Sequence, residues 1–210
     1  YFFKPNLYLS FGQTKLPGNR QRVVSSGMLQ FVDRSIVNAR FNIDRDFGLR
    51  AFYQNNLGSS FFRSHLAISS GEGRNAVNSD NGLAYTLRQE WLPFGQFKSD
   101  GDYFEGDLLR EPKPRLAIGG TAIYNEKAVR TGGQIGEFLT NPVDIRTVLA
   151  DAIFKWNGFS TTFEYAFRDV SAISNTSLFD NSTIHVFEGQ GWTVQSSYLF
   201  KNNWELAARM

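Results

Sequence analysis

Apolar and polar residues alternate with a period of two in about nine segments of the chain, and this alternation restricts the fold more than any other feature. Successive side chains of a β-strand point to opposite faces, so the pattern predicts strands with one apolar and one polar face. The segments are residues 6–14, 45–54, 61–70, 82–92, 115–125, 145–156, 159–168, 190–200 and 203–210. Each is roughly 8–12 residues long, about what a tilted strand needs to cross a membrane.

Charge is confined to one of the two faces. The apolar face, which includes Leu87, Phe154 and Tyr165, carries no charged residue. The opposite face carries seven cations and four anions: Arg50, Arg63, Arg88, Arg115, Lys155, Arg168, Arg209, Glu90, Asp151, Glu164 and Glu205. A charge that faces lipid costs about 2–4 kcal/mol at the bilayer midplane, so a lipid-facing surface would impose this exclusion. A soluble barrel with its apolar face inside would show the same alternation, and at this point both alternatives stay open.

The positions of the tryptophans favour the membrane alternative. All four, Trp91, Trp156, Trp192 and Trp204, lie on the apolar face and near a strand end. Rings with an apolar body and a polar edge prefer the boundary between membrane and water, where they form two girdles around a transmembrane barrel. In a soluble core, we would expect the largest residues nearer the middle of the strands.

Short and long connections alternate between the predicted strands. The short ones are a type I′ turn signal at Asn157-Gly158, the turn at residues 201–203, and residues 55–60. The long ones are residues 15–44, 71–81, 126–144 and 169–189. Outer-membrane barrels have short turns on the periplasmic side and long loops outside. Residues 93–114 are an exception that the sequence does not explain, because they place a long segment on the short-turn side.

These observations predict an all-β fold, a transmembrane antiparallel up-and-down β-barrel. The recurring unit is the hairpin, so residues 1–210 are expected to be part of a single domain. Nine strands is an odd number, and lipid does not tolerate an open sheet edge. We therefore expect the barrel to be incomplete at both ends of this sequence.

Composition excludes several other classes of function. The net charge of +2 and the lack of a dense basic run argue against nucleic-acid binding, and the absence of cysteine excludes disulfides and thiolate metal sites. His65 and His185 are too far apart to suggest a metal site, and no nucleophile–base–acid set suggests an enzyme or a cofactor. Residues 100–107 contain four acidic residues, which suit either a calcium site or, more commonly, a solvated turn.

Several segments resemble the phosphate-selective porin O and P family, in the branch found in Bacteroidota-type bacteria. They are Leu9–Pro17, Ser25–Ser35, Arg45–Leu49, Trp91–Gly95, Gly101–Asp107, Ala128–Arg130 and Tyr198–Trp204, in that order along nearly the whole chain. The resemblance implies a homotrimer of barrels with roughly 16 strands in the bacterial outer membrane, of which this chain would be about half of one barrel. In this family a Ser-Ser pair and an Arg on an inward-folded third loop help to bind anions. The matching residues here are Ser25, Ser26 and Arg34.

Two sets of residues are therefore candidates for contact with a solute. In the loop, Lys15, Arg20 and Arg22 add positive charge to the set that the resemblance implies. The alternatives are a serine that caps a short helix and an ordinary charged surface. The second set lines the predicted pore: Arg50, Arg63, Arg88, Arg115, Lys155, Arg168 and Arg209. Rings of Arg and Lys select phosphate and similar solutes, although these charges could also pair across strands and only solvate the wall.

The sequence predicts a porin for passive diffusion of small solutes that prefers anions such as phosphate. Its expected partners are outer-membrane lipid, small anionic solutes and two further copies of the chain. Two alternatives stay open. The first is a plugged barrel that serves as a subunit or scaffold of an envelope complex. The second is a soluble β-barrel that binds an apolar ligand.

Overall fold

The computed structural model describes residues 1–75 and 82–210, which form mainly antiparallel β-sheet. The strands are β1 (Phe2–Lys4), β2 (Leu7–Lys15), β3 (Arg45–Leu57), β4 (Ser60–Ser69), β5 (Ala84–Leu92), β6 (Arg115–Arg130), β7 (Phe138–Trp156), β8 (Phe159–Val170), β9 (Ser174–Thr176), β10 (Thr183–His185), β11 (Gly189–Leu199) and β12 (Glu205–Arg209). Ten of them form one sheet in the order β1 to β8, then β11 and β12, while β9 and β10 pair separately. The sheet is an up-and-down meander, as predicted. Within the described residues its two edges, β1 and β12, do not pair with each other.

All nine predicted strands are present, but one connection is much shorter than expected. Residues 126–144 were expected to form a long loop, whereas β6 continues to Arg130 and β7 begins at Phe138. The register between the two strands shifts between Asn125 and Ala128, and Lys127 has a φ of 50°. A bulge of this kind breaks the period of two, which is why the regular alternation ends near Asn125.

The other boundaries differ by a few residues. Strand β3 continues to Leu57 and β4 begins at Ser60, so the connection expected at 55–60 is a turn of two residues. Strand β5 begins at Ala84 rather than at 82. Part of the predicted connection 71–81, residues 76–81, lies outside the described residues.

The hairpin predicted at Asn157-Gly158 is confirmed. Trp156 pairs with Phe159, and the two turn residues have φ values of 48° and 89°. Positive φ at both central positions defines the type I′ turn, whose twist matches that of the strands. The turn at 201–203 is also confirmed, because the Phe200 N–H donates to the Trp204 carbonyl at 2.8 Å.

The two faces of the sheet have opposite environments. The apolar side chains are exposed, as at Leu87 (43%), Trp91 (43%) and Phe163 (42%). On the polar face, Arg88 is 0% and Glu90 1% exposed. This arrangement is the reverse of a soluble barrel, which buries its apolar face. Among the described residues, no helix has the length and apolar character needed to span a membrane.

Two segments cover the polar face. Residues 16–44, here called loop 16–44, enter from the long-loop end and contain α1 (Arg20–Val23), a 3-10 turn (Ser26–Met28) and α2 (Ile36–Phe41). Residues 93–114, here called segment 93–114, enter from the short-turn end and contain two 3-10 turns that meet at a kink (Lys98–Tyr103). The two segments meet where the Glu105 N–H donates to the Met28 carbonyl at 2.9 Å. Segment 93–114 is therefore not an external loop, and this explains why it interrupts the alternation of short and long connections.

Apolar contacts fix each segment to its own end of the sheet. One cluster joins loop 16–44 to β4, β6, β7 and β8: Leu16, Val37, Phe41, Ile43, Ala67, Ile123, Leu149 and Ala166. Another joins segment 93–114 to β4, β5, β6 and β7: Phe61, Leu92, Phe97, Ala117 and Ile153. Between these clusters, buried ion pairs of Arg20, Arg63 and Arg88 link the two segments to the sheet.

Candidate solute-binding site on the polar face

A strongly cationic cleft, here called the cation cleft, lies between loop 16–44 and the ends of β2 and β3. Its volume is about 240 Å³, and it is lined by Lys15, Arg22, Ser25, Ser26, Arg34, Asp44, Arg45 and Arg74. Five of these side chains are cations and one is an anion. The structure therefore brings together five of the six loop residues that the sequence suggested, and adds Arg45, Arg74 and Asp44.

Asp44 offsets only part of the positive charge. Its carboxylate pairs with Arg22, and with Arg74 at 2.8 Å. Burial, together with repulsion by neighbouring arginines, Arg34 first among them, lowers the pKa of Arg22 below its usual value. A bound anion would relieve this repulsion, because opposite charges within a few ångströms favour the charged form.

The backbone of the loop positions Arg34. The Arg34 guanidinium donates to the Gln21 carbonyl at 2.8 Å and to the Val24 carbonyl at 3.3 Å. Ser25 precedes the 3-10 turn, but its hydroxyl makes no capping hydrogen bond, and both Ser25 and Ser26 are exposed. The helix-capping alternative is therefore wrong for Ser25, and its hydroxyl points to a solvent-accessible part of the cleft.

Helix α1 is held against the sheet by groups from outside the loop. It has no side-chain cap of its own. Instead, the Glu164 carboxylate accepts a hydrogen bond from the Gln21 N–H and another from the Asn19 side-chain amide at 2.8 Å. A carboxylate at a helix N-terminus satisfies free N–H groups and favours the helix dipole. Strand β8 thus supplies the cap of a helix more than 140 residues away in sequence.

Arg20 belongs to a buried ion network and not to the cation cleft. Its guanidinium contacts Asp151 at 2.9 Å and Glu90 at 3.1 Å, and it is 1% exposed. Burial acts to lower the pKa of Arg20, but these two carboxylates hold it above its usual value. The sequence prediction for Arg20 is corrected here, because its side chain points to the sheet while Arg22 points to the cleft.

The buried members of the ion network balance one another's charges. Arg88 bridges Asp151 at 2.6 Å and Glu90 at 2.8 Å, and Arg63 pairs with Asp102 from segment 93–114. With Arg20, the buried members are three arginines and three carboxylates, and the exposed Asp100 lies 3.8 Å from Arg63. Buried charges are tolerated when they are paired and hydrogen-bonded in this way.

All the cations predicted to line a pore, except Arg50, contact the covering segments. Six of the seven donate to main-chain carbonyls: Arg50 to Lys15, Arg88 to Gly18, Arg115 to Phe94, Lys155 to Gly101 and Phe104, Arg168 to Phe41, and Arg209 to Asp33. Arg168 reaches the last carbonyls of α2, where a cation complements the helix dipole. All seven lie on the polar face, as predicted, but Arg63, Arg88, Lys155 and Arg168 are buried there.

The acidic residues of segment 93–114 are anchors for the same interface. Asp102 pairs with Arg63, and Asp107 accepts the Gly158 N–H at 2.7 Å. Glu105 accepts from the Gln21 side chain at 2.9 Å and from the Gln195 side chain at 2.8 Å. The solvated-turn interpretation is therefore wrong for these three residues. In the described part of the chain, no group of His, Cys, Asp and Glu is arranged to hold a metal ion.

Sequence reasoning missed three groups near the cleft. Asp44 is the last residue of loop 16–44, whereas Arg45 begins β3 and Arg74 lies in a separate connection. The proximity of Arg45 and Arg74 to the loop therefore depends on strand pairing. It also missed a row of rings on the polar face, described below. Comparison of the chain with protein-family models, curated proteins and solved structures gives no match.

Proposed function

We propose that this chain forms part of the wall of an outer-membrane β-barrel and carries small anions past the cation cleft. The observation that carries the proposal is the cleft itself, in which Lys15, Arg22, Arg34, Arg45 and Arg74 face a single carboxylate. Arginine suits oxyanions because its guanidinium donates in a planar fork. The two exposed serines add hydroxyl donors. The further strands and the trimer that a closed porin needs are part of this proposal.

The orientation of the sheet supports the membrane setting. The exposed face is apolar, and three tryptophans, Trp91, Trp156 and Trp204, lie at the ends of β5 and β7 and just before β12. These are all at the short-turn end, where a girdle would lie at one membrane boundary. Trp192 lies near the start of β11 at the other end. The exposed apolar face also argues against the soluble barrel, which would enclose that face around its ligand.

Planar-bilayer recording of the full-length protein tests the proposal. In a KCl gradient, we expect a reversal potential that indicates anion preference, and we expect Arg22→Gln together with Arg34→Gln to shift it towards zero. Lys201→Gln is the matched control, because Lys201 is an exposed cation of the β11–β12 turn, far from the cleft along the strands. Cation selectivity, or equal shifts in the two variants, would contradict the proposal.

A second candidate is a plugged structural barrel, and one specific observation favours it. Loop 16–44 and segment 93–114 bury Arg88, Glu90 and Asp151 almost completely, so this stretch of the wall contacts protein and not water. The same bilayer experiment separates the candidates, because a plugged barrel gives no steady current.

A further inference from the structure

Three aromatic rings form a row on the polar face, close to the cation cleft. Tyr8, Phe52 and His65 lie directly opposite one another on β2, β3 and β4. The Tyr8 and Phe52 rings stack with centroids 4.8 Å apart, and the Phe52 and His65 rings meet edge to face at 4.5 Å. Unlike the buried network beside them, all three side chains are partly exposed. A row of accessible rings on the polar side of this sheet is unexpected, because the large aromatic residues of the strands otherwise lie mainly on the outer face.

The row forms one side of a cavity of about 330 Å³. The opposite side is loop 16–44, which contributes Leu16, Pro17 and Val23. The rest of the lining consists of Lys15, Arg50, Arg88 and Tyr103. Small-molecule sites have volumes of about 300–1,000 Å³ and combine apolar walls with a few polar groups, so this cavity is large enough for one small ring.

The cavity and the cation cleft adjoin each other. Lys15 lines both of them. The Arg50 guanidinium donates to the Lys15 carbonyl at 2.8 Å and to the Ser10 hydroxyl at 3.0 Å. Among the described residues, no carboxylate forms an ion pair with Arg50, so its charge is not offset. A ligand that carried an anionic group on a ring could place the ring in the cavity and the anion in the cleft.

We propose that the cavity binds the ring of a sugar phosphate whose phosphate group lies in the cation cleft. This inference rests on the proposed function and names its substrate class. A pyranose has C–H faces that pack on aromatic rings, and hydroxyls that accept hydrogen bonds from Arg50. Inorganic phosphate would use the cleft but not the rings. Contacts divided between two weak subsites suit a pore, since conduction requires that a solute also leaves.

Calorimetric titration of the full-length protein in detergent tests the binding without requiring a current. The probes are glucose 6-phosphate, inorganic phosphate and glucose. We expect glucose 6-phosphate to bind more tightly than either of the others. An aromatic contact contributes about 0.5–1.5 kcal/mol, so Phe52→Ala should weaken glucose 6-phosphate binding by about 2–12-fold. Phosphate binding should not change.

Phe47→Ala is the matched control. Phe47 lies on the same strand as Phe52, but on the outer face, where its ring meets Phe11 edge to face at 5.0 Å. We expect it to leave both affinities unchanged. Phe52→Leu keeps the apolar volume but not the flat face, and it replaces the alanine variant if that variant does not fold. It should also weaken only glucose 6-phosphate binding.

The outcomes separate this inference from the proposed function. If bilayers show anion current but Phe52→Ala and Phe52→Leu bind glucose 6-phosphate normally, the sugar site is wrong and the pore stands. If binding depends on Phe52 but no current appears, the site stands and the pore fails. Benzoate that binds more tightly than glucose 6-phosphate, and depends on Phe52, would overturn the sugar assignment in favour of an aromatic acid.

Discussion

A single methyl group at Gly119 should disrupt the ion network that holds the two covering segments. Gly119 lies on β6 beneath Arg88 and Asp151. A Cβ atom built there would lie 2.5 Å from the Arg88 Nη2 and 2.6 Å from the Asp151 Oδ1. These two atoms are themselves 3.0 Å apart and form one of the network's hydrogen bonds. Gly119→Ala therefore places a carbon against both partners of a buried ion pair.

The expected loss of stability follows from these distances. The ordinary contact distance between a carbon and a polar atom is about 3.5 Å. The Arg88 Nη2 and the Asp151 Oδ1 must therefore each move away by roughly 0.9–1.0 Å. Overpacking of this kind costs about 1–3 kcal/mol. A retreat of that size also breaks at least one hydrogen bond between charged groups, which costs about 1.5–3 kcal/mol more. Alanine gains about 0.5–1 kcal/mol over glycine in a strand, so we expect Gly119→Ala to lower the free energy of unfolding by about 1.5–5.5 kcal/mol.

Gly120 provides the matched control on the next residue of the same strand. It lies on the exposed face, and a Cβ atom there meets nothing within 4 Å. Gly120→Ala should leave stability unchanged or raise it by about 0.5–1 kcal/mol, because glycine weakens a strand relative to alanine. Guanidinium titration of the full-length protein in detergent, followed by tryptophan fluorescence, compares the two. Equal stabilities for the two variants would refute the buried network at Gly119.

Three further results are expected. Gly158→Ala should destabilise the β7–β8 hairpin by more than about 1 kcal/mol in the same titration. Gly158 has a φ of 89°, and an added Cβ would lie 2.5 Å from the Leu199 carbonyl oxygen. An unchanged unfolding midpoint would contradict the turn geometry. Arg20→Met should lower the free energy of unfolding by about 3–5 kcal/mol, because it leaves buried carboxylates with one partner fewer. Arg45→Met, at an exposed position, should change the free energy of unfolding by less than about 0.5 kcal/mol. Equal losses of stability in the two variants would place Arg20 outside the network. Anion selectivity in bilayers should weaken between 0.1 M and 1 M KCl, because the Debye length falls from about 10 Å to 3 Å; selectivity independent of salt would mean that exposed cations do not set it.

Local pattern was enough to predict the strands and their faces. The residues of β8 alternate without interruption, and the Asn157-Gly158 turn has the two residue types that tolerate positive φ. The alternation failed where the backbone departed from a regular strand. The register shift between Asn125 and Ala128 interrupts the alternation, so the sequence pattern predicts a loop for the far half of the β6–β7 hairpin.

The covering of the polar face could not be predicted from the alternation. The alternation places Arg88 and Asp151 on one face of the sheet, but it does not show what that face contacts. Arg20 reaches Asp151 across 131 positions of sequence, and only the folded loop brings them together. For the same reason, the loop's positive charge could not be divided in advance. Arg20 and Arg22 are separated by one residue in a short helix, yet one enters the network and the other the cleft.

The balance of charge indicates which cations would give a pore its selectivity. The buried members of the network around Arg88 are equal numbers of arginines and carboxylates, so they present little net field to a passing ion. The cation cleft keeps an excess of positive charge at a surface that water reaches. Anion selectivity should therefore depend on the loop and the strand ends, and not on the strand cations that the sequence predicts to line the pore. The strand arginines that contact loop 16–44 fix the loop to the sheet, and this fixation is required for the rigid positioning of Arg22 and Arg34.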